Sequence, residues 1–522
     1  MKFLGIRNGH DCNIAYSDGI KVRYAKIERN VQKKHYNTAS IKGGDVEKKD
    51  DVPELLQHAK DIFGIDLQEL DGICISNDPG LHKLDREVQI NENYFEIDKS
   101  KNELWSQFKC PVYRVDHHYS HTLSCWPLVD LDTVSTHFVL DGLGDHGRIS
   151  GIFKNDQLVE YVDRSENMGL SVTMEQVGQK IGIEGIVLDI AGKLMALKSF
   201  HNVPDDLTNH LMKFVEPLRY RHLNQFIQIA MQANQMLVPV PDERQQLINL
   251  SHWMHVFGER KMPDYFSLYA NPDDVITYSG GTAQNTVVNT SLRKRFKNMH
   301  IPPHCPDDGL SLGCVEFLRK LFCQPKFDNS NFPYWQSDQA PDSTPSASTI
   351  EKTAEFLAQG KIVAWYQGNG EIGPRALGNR SILMNPNVEN GKDILNERVK
   401  KREPYRPFGA SILNEYTSQY FDCDYESPYM LYVIDALDKT QFKPILHVDG
   451  TCRIQTVNEQ PQYAIYRDLI ESFRRKTGIP MVLNTSLNVN GAPIAGYVDD
   501  AKKLFDTSDL DVLVVGDEIM TK

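Results

Sequence analysis

Lys2-Phe3-Leu4-Gly5-Ile6-Arg7-Asn8-Gly9-His10-Asp11-Cys12-Asn13-Ile14-Ala15-Tyr16-Ser17-Asp18-Gly19 is the stretch that sets the architecture. β-prone runs from Lys2 to Ile6 and from Cys12 to Tyr16 flank a Gly-His-Asp turn at 9–11. Ser17-Asp18-Gly19 is a second turn signal, and Val22 to Ala25 reads as a third strand. The chain therefore begins as a β-meander whose first turn carries polar side chains. Further on, Thr136 to Leu140 and Arg148 to Phe153 form a second strand pair around the Gly-rich turn Asp141-Gly142-Leu143-Gly144-Asp145-His146-Gly147. Helical periodicity covers roughly 205–238 and 313–323. Strands mixed with helices give an α/β class.

Residues 324–348 carry Pro, Ser, Asp, Asn and Gln with little apolar periodicity and read as a connector. They divide the chain into 1–325, a linker over 326–348, and 349–522. The second part opens with a helix, Ile350 to Ala358, and a strand, Lys361 to Tyr366. At ~150 residues per domain, 522 residues accommodate three or four folding units.

Hydrophobic residues make up 40% and charged residues 24%, which excludes a disordered or collagen-like chain. No apolar run is long enough to span a bilayer, and Arg7 and Asn8 interrupt the N-terminus too early for a signal-peptide core, so a cytoplasmic protein is expected. A net charge of -13 disfavours broad adhesion to nucleic acid or anionic membrane. The nine cysteines are scattered without a C-x-x-C pair and are expected to be reduced, buried thiols.

Six segments carry chemistry. In Asp116-His117-His118-Tyr119-Ser120-His121, His117 and His121 are four apart and share a helix face, a spacing that suits one cation. The zincin pattern needs Glu after the first His, and His118 stands there. Asp141 in its turn and the acidic turn Asp307-Asp308-Gly309, expected to be exposed, add carboxylates. Each alone would be an ordinary turn aspartate. Two His and two carboxylates suit Fe(II), Mn(II), Co(II) or Zn(II). Ser279-Gly280-Gly281-Thr282-Ala283-Gln284-Asn285 is a strand–turn–helix junction whose glycines let backbone approach a phosphate. Ala191-Gly192-Lys193-Leu194-Met195 lacks the spacing of a Walker loop and alone reads as an ordinary helix lysine.

The fourth segment is the richest. Gly373-Pro374-Arg375-Ala376-Leu377-Gly378-Asn379-Arg380-Ser381 is followed by Val399-Lys400-Lys401-Arg402-Glu403-Pro404-Tyr405-Arg406-Pro407-Phe408. Arg375, Arg380, Lys392, Arg398, Lys400, Lys401 and Arg402, closed by Arg406, form a basic run in an acidic chain and call for an anion. The fifth and sixth segments, His447 to Gln455 and Val482 to Asn488, put polar groups at the ends of apolar strands, where α/β sheets place ligands.

In this order, the six segments resemble the O-carbamoyltransferase family of the NodU/CmcH/TobZ type, over nearly the whole chain. The resemblance implies an actin-like (ASKHA, threonylcarbamoyl-transferase-like) domain followed by an α+β YrdC-like domain. It implies that the second domain makes carbamoyl-adenylate from carbamoyl phosphate and ATP with Mg, and that the first passes the carbamoyl group to a hydroxyl. Arg375, Lys400, Arg453 and Ser486 then look like anion and nucleotide contacts, with Asn484 in the same motif. His117, His121, Asp141 and Asp307 look like ligands of one divalent metal, Fe(II) first. Lys193, Gly280, Gly281 and Asn285 look like adenylate contacts in the transfer site, and His10 like the base for the acceptor hydroxyl. Asp308 beside Asp307 and Lys401 beside Lys400 leave each assignment open by one residue. Lys198-Ser199-Phe200-His201 departs from the Ala-Pro-Tyr-Gly expected after the Gly-Lys-x-Met segment.

The acceptor is open among antibiotic sugars, polysaccharide sugars and hydroxymethyl heterocycles, with nucleic acid entering only as a modified-base substrate. No membrane partner is expected, and a homodimer is allowed for. The competing functions are a threonylcarbamoyl-type tRNA modifier, a nucleotide-binding scaffold without activity, and an actin-fold kinase that would release ADP.

Overall fold

The computed structural model describes residues 1–34, 36, 52–77, 87–166, 169–185 and 187–522. The opening meander forms as three antiparallel strands, Phe3–Asn8, Asn13–Ser17 and Val22–Lys26. Gly72–Asn77 and Val112–Val115 continue the sheet in parallel, and Tyr94–Ile97 and Glu87–Gln89 complete a seven-stranded sheet. A second sheet repeats the pattern. Arg148–Lys154 lies between antiparallel Gln157–Asp163 and Thr136–Leu140, and Ile276–Ser279 and Met299–His300 follow in parallel.

Two helices fill the space between the sheets. His117–Leu123 packs on the second sheet, Leu310–Leu321 on the first, and they touch each other. Glycines permit the close approach: a Cβ on Gly5 would lie 2.2 Å from the Ser311 carbonyl oxygen, and one on Gly313 2.1 Å from that of Ser120. Phe3, Leu4 and Ile6 are fully buried, each contributing about 1.5–3 kcal/mol. These packed helices deliver His117, His121 and Asp307 to one place.

Residues from Val363 onward form an eight-stranded mixed sheet. Its order is Val433–Asp435, Thr451–Val457, Gly409–Leu413, Met481–Ser486, Arg380–Met384, Val363–Tyr366, Val512–Val515 and Glu518–Thr521. Helices Ala347–Ala358 and Ala464–Thr477 pack against each other and against this sheet. Among the described residues no helix is long and apolar enough to cross a membrane.

The connector differs from its expected character. Phe327, Phe332 and Trp335 are buried in the core beneath the first sheet, and Trp335 stacks on Trp126. Single aromatics between turn residues have no period to reveal their burial. The Trp335 carbonyl accepts from Tyr24 N–H at 3.2 Å and Ser337 N–H donates to the Tyr24 carbonyl at 2.6 Å, so this segment extends the first sheet's edge. Gln336 then bridges to Gly370 of the second half. The long helix Glu243–Phe266 carries no stripe in the sequence because it is buried on several faces and contains Pro263. The helical stretch read over 205–238 is two main helices, Asp205–Phe214 and Leu223–Ala233.

Candidate active site

Asp116 ends the approach to helix His117–Leu123, and its carboxylate accepts from Tyr119 N–H. His117 N–H donates to Asp145 at 2.9 Å. These contacts fix the helix start, so His117 and His121 point the same way. Asp141 follows strand Thr136–Leu140, and its Oδ1 accepts from Gly281 N–H at 2.8 Å. Its Oδ2 lies 2.9 Å from His117 Nε2 and 3.7 Å from His121 Nε2. Asp307 Oδ1 lies 3.5 and 3.3 Å from the same two nitrogens. One ligand atom from each of His117, His121, Asp141 and Asp307 falls within 4.8 Å of the others.

The donor set fits a divalent cation. Both histidines are buried, and His121 makes no well-formed hydrogen bond at either ring nitrogen. Burial alone would lower the His121 pKa, but Asp141 and Asp307 raise it to about 9. Two converging imidazoles and two carboxylates match metals that accept N and O ligands.

The acidic turn is a correction: Asp307 and Asp308 are 2% and 1% exposed, not solvated. They point in different directions. Asp307 faces the histidines, with Oδ2 held by Arg7 and 3.2 Å from His10 Nε2. Asp308 faces Lys26 at 2.7 Å, and Lys26 also meets Asp11 and Glu28 at 3.1 and 3.2 Å. Geometry thus separates the two: Asp307 joins the cluster and Asp308 belongs to a buried ion network. His10 sits between carboxylates, with Nδ1 3.2 Å from Asp11. Arg7 and Lys26 were missed in the sequence; the signal was a cation inside a strand that the meander buries on both faces.

Behind the cluster, Gly280 adopts φ +94°, and a Cβ there would lie 2.2 Å from the Leu140 carbonyl oxygen. Asn285 caps the helix Thr286–Arg295 by accepting from Val288 N–H. Lys193 donates to the Glu184 carbonyl at 2.6 Å and meets Glu403 at 2.7 Å. That ion pair crosses from the first half to the basic segment of the second. The departing residues Lys198 and Ser199 also cross, reaching Asp449 at 3.7 and 2.6 Å.

The basic run splits in two. Arg380 is structural: it pairs with buried Asp338 at 2.9 Å and lies over the Tyr366 ring. Arg398 pairs with Asp511. Arg375, Lys400, Arg402 and Arg406 gather instead with Arg453. Burial, then the fields of Arg375 and Arg402, hold the Arg453 pKa far below its ordinary value. Burial and Arg406 lower Arg402 to about 9, and burial and Arg406 also lower Arg375. The Nε atoms of Arg375, Arg402 and Arg453 are buried without acceptors. Crowded like charges with three unpartnered Nε atoms are what an anion relieves.

Lys400, and not the exposed Lys401, enters this pocket; its amine reaches the Ser486 and Asn488 carbonyls, both at 2.7 Å. Ser486 donates to the Asn488 side chain at 2.7 Å. Asn484 is spent on the scaffold, donating to Ser411 Oγ at 2.9 Å and to the Ala376 carbonyl at 3.2 Å. Eight cysteines are buried and Cys323 is exposed; all are free thiols.

Residues 81–315 match the family model Carbamoyltransferase N-terminus, and residues 354–522 match Carbamoyltransferase C-terminus. The chain belongs to the carbamoyltransferase family. Both clusters above fall within matched segments. Among relatives, the nodulation protein NolNO of Sinorhizobium fredii is 36% identical over 47% of this chain and 40% of its own length. The 3'-hydroxymethylcephem-O-carbamoyltransferase of Amycolatopsis lactamdurans is 32% identical over 50% of each chain. An uncharacterized protein of Methanocaldococcus jannaschii is 28% identical over 80% of this chain and 74% of its own. The chain spans about half the length of the cephem relative, and less of NolNO. Full-length HypF in a phosphate- and nucleotide-bound form overlaps 63% of this carbamoyltransferase-family chain and 47% of its own, with 11% identity and a TM-score of 0.35.

Proposed function

We propose that the protein is an ATP-dependent O-carbamoyltransferase with two chemical stations. The observation that carries this is the basic cluster of Arg375, Lys400, Arg402, Arg406 and Arg453, in which Lys400 is buried, the four arginines are half-buried, and the Nε atoms at 375, 402 and 453 are buried without acceptors. Carbamoyl phosphate and ATP bring several negative charges together, and cations of this kind stabilise the charge that develops during displacement at phosphorus. Arg453 and Arg375 hold the phosphates, and Lys400 places a further positive charge beside Ser486. In the second half, read as YrdC-like, water cleaves carbamoyl phosphate to carbamate and inorganic phosphate, and the carbamate oxygen displaces pyrophosphate from the α-phosphorus of ATP to give carbamoyl-adenylate. Mg accompanies the ATP.

The first half, read as actin-like, receives the adenylate. Its two sheets, each a meander followed by parallel strands, support that reading. His117, His121, Asp141 and Asp307 would hold one divalent metal, Fe(II) first among Mn, Co and Zn. Such a metal supplies Lewis acidity that polarises the carbamoyl carbonyl. Gly280 and Gly281 let this turn pack closely on Leu140 and Asp141, and Asn285 closes it as the cap of the next helix; with Lys193 they are read as adenylate contacts. Asp11 holds His10 Nδ1, so Nε2 faces the cluster and can take the acceptor's hydroxyl proton. The Lys193–Glu403 and Ser199–Asp449 contacts join the two stations, which shortens the path of a hydrolysis-prone intermediate. The acceptor is a small-molecule or sugar alcohol.

Two variants test the division of labour. Arg453→Ala is expected to abolish carbamoyl-phosphate-dependent pyrophosphate release, and normal release would remove Arg453 from the site. His117→Ala is expected to lose metal while still releasing pyrophosphate. Full metal content in that variant would refute the ligand assignment.

A further inference from the structure

Arg29 lies in the short helix Ile27–Val31 of the first half and is 1% exposed. Its guanidinium crosses to the second half. One terminal nitrogen donates to the Glu371 carbonyl and the other to the Gly373 carbonyl, both at 2.6 Å. These carbonyls begin the turn that presents Arg375. The same turn is held from inside by the Glu371 carboxylate, fully buried, which accepts from the N–H groups of Leu377, Asn379 and Arg380.

The same helix also touches residues 494–496 of the second half. The Arg29 carbonyl oxygen would lie 2.4 Å from a Cβ on Gly496. Gln32 donates to that same carbonyl at 2.9 Å and reaches the Ile494 carbonyl at 3.5 Å. Residues 494–496 follow the Ser486–Asn488 segment that receives Lys400. Gly373 in turn packs on the Pro303 carbonyl, 2.3 Å from where its Cβ would stand, four residues before Asp307. A buried cation of the first half therefore joins Glu371 and the Pro303 contact in fastening the Arg375 turn.

The structure assigns to Arg29 the role of a positioning residue: it sets the turn Glu371–Arg375, so the phosphate pocket of the second half is complete only with the first half docked. This rests on reading the basic cluster as the phosphate site. Arg29 itself touches no substrate. Arg29 gives its two terminal nitrogens to carbonyls while its Nε is buried and unpartnered, so removing it leaves two buried acceptors orphaned.

The test uses the full chain as wild type, Arg29→Ala and Arg29→Lys. Hydrogen exchange of the 371–381 segment reads the turn, calorimetric titration with inorganic pyrophosphate reads the pocket, and metal content reads the first half. Arg29→Ala is expected to exchange faster at 371–381 and to bind pyrophosphate ~10–100-fold more weakly, with unchanged metal content. Millimolar guanidinium should restore binding, and the KM for carbamoyl phosphate should rise more than kcat falls. Arg29→Lys should lie between the two, which keeps the test alive if the alanine variant does not fold. Wild-type pyrophosphate affinity in Arg29→Ala or Arg29→Lys overturns the assignment, whatever the exchange shows. A wild-type protein that binds no pyrophosphate overturns the phosphate-site reading beneath it.

Discussion

At the scale of single residues, adjacent side chains have opposite duties. Asp307 faces the two histidines, while Asp308, one residue on, is the nearest of three carboxylates around Lys26. Asp307→Asn should weaken metal binding by more than the ~10–100-fold that losing an outer partner costs. Asp308→Asn should keep its metal and lose about 1–3 kcal/mol of stability, since Lys26 would retain only Asp11 and Glu28. Metal analysis after dialysis, with denaturant unfolding of each variant, separates the two; metal loss confined to Asp308→Asn would invert the assignment. Lys400 gives a pH signature. Burial, with Arg402 and Arg406, pushes its pKa well down. A bound phosphate favours the ammonium, so binding should take up protons, and affinity should fall as pH rises above the depressed value. Calorimetry in buffers of different ionisation enthalpy reads this uptake, and Lys400→Met should abolish it; proton release on binding would contradict it. The choices between 307 and 308 and between 400 and 401 were invisible in sequence, because neighbours of one residue type differ only in where the backbone aims them. Lys401 has φ +47°, which turns it out of the pocket.

At the scale of elements, the clusters sit where strands end and helices begin. Strand Thr136–Leu140 delivers Asp141, helix His117–Leu123 delivers the histidines, and the turn before Leu310–Leu321 delivers Asp307. Gly280 lets the neighbouring strand pass the Leu140 carbonyl. Gly280→Ala should cost about 1–3 kcal/mol through its positive φ and should also lower metal occupancy, because Asp141 would lose its seat on Gly281 N–H. Wild-type metal content at reduced stability would mean the turn does not position Asp141. Short strands with clear turns, such as the opening meander and the pair around Asp141, were legible from residue pattern alone. The helix Glu243–Phe266 was not, since a helix buried on several faces shows no stripe. The connector's aromatics and the solvated character expected of the acidic turn failed for a related reason: burial there depends on distant partners such as Trp126 and Arg7.

At the scale of the whole molecule, three sheets frame two clusters, and side-chain contacts cross between the halves. One hydrophobic core includes residues of both halves, from Phe138 and Ile301 to Tyr366 and Ile454. Arg29, Lys193 and Ser199 cross from the first half to the segments that bear Arg375, Arg402 and Arg453. The family membership was legible because its motifs lie in order from Asp116 to Asn488, within the matched segments 81–315 and 354–522. The crossings were not legible, because each joins residues that the sequence holds more than two hundred positions apart. The most direct measurement is to mix purified protein with Mg, ATP and carbamoyl phosphate, with no acceptor present, and to read the products by mass spectrometry. Carbamoyl-adenylate, with pyrophosphate whose release depends on carbamoyl phosphate, is the expected result. ADP alone, or nucleotide turnover indifferent to carbamoyl phosphate, would contradict the two-station transferase.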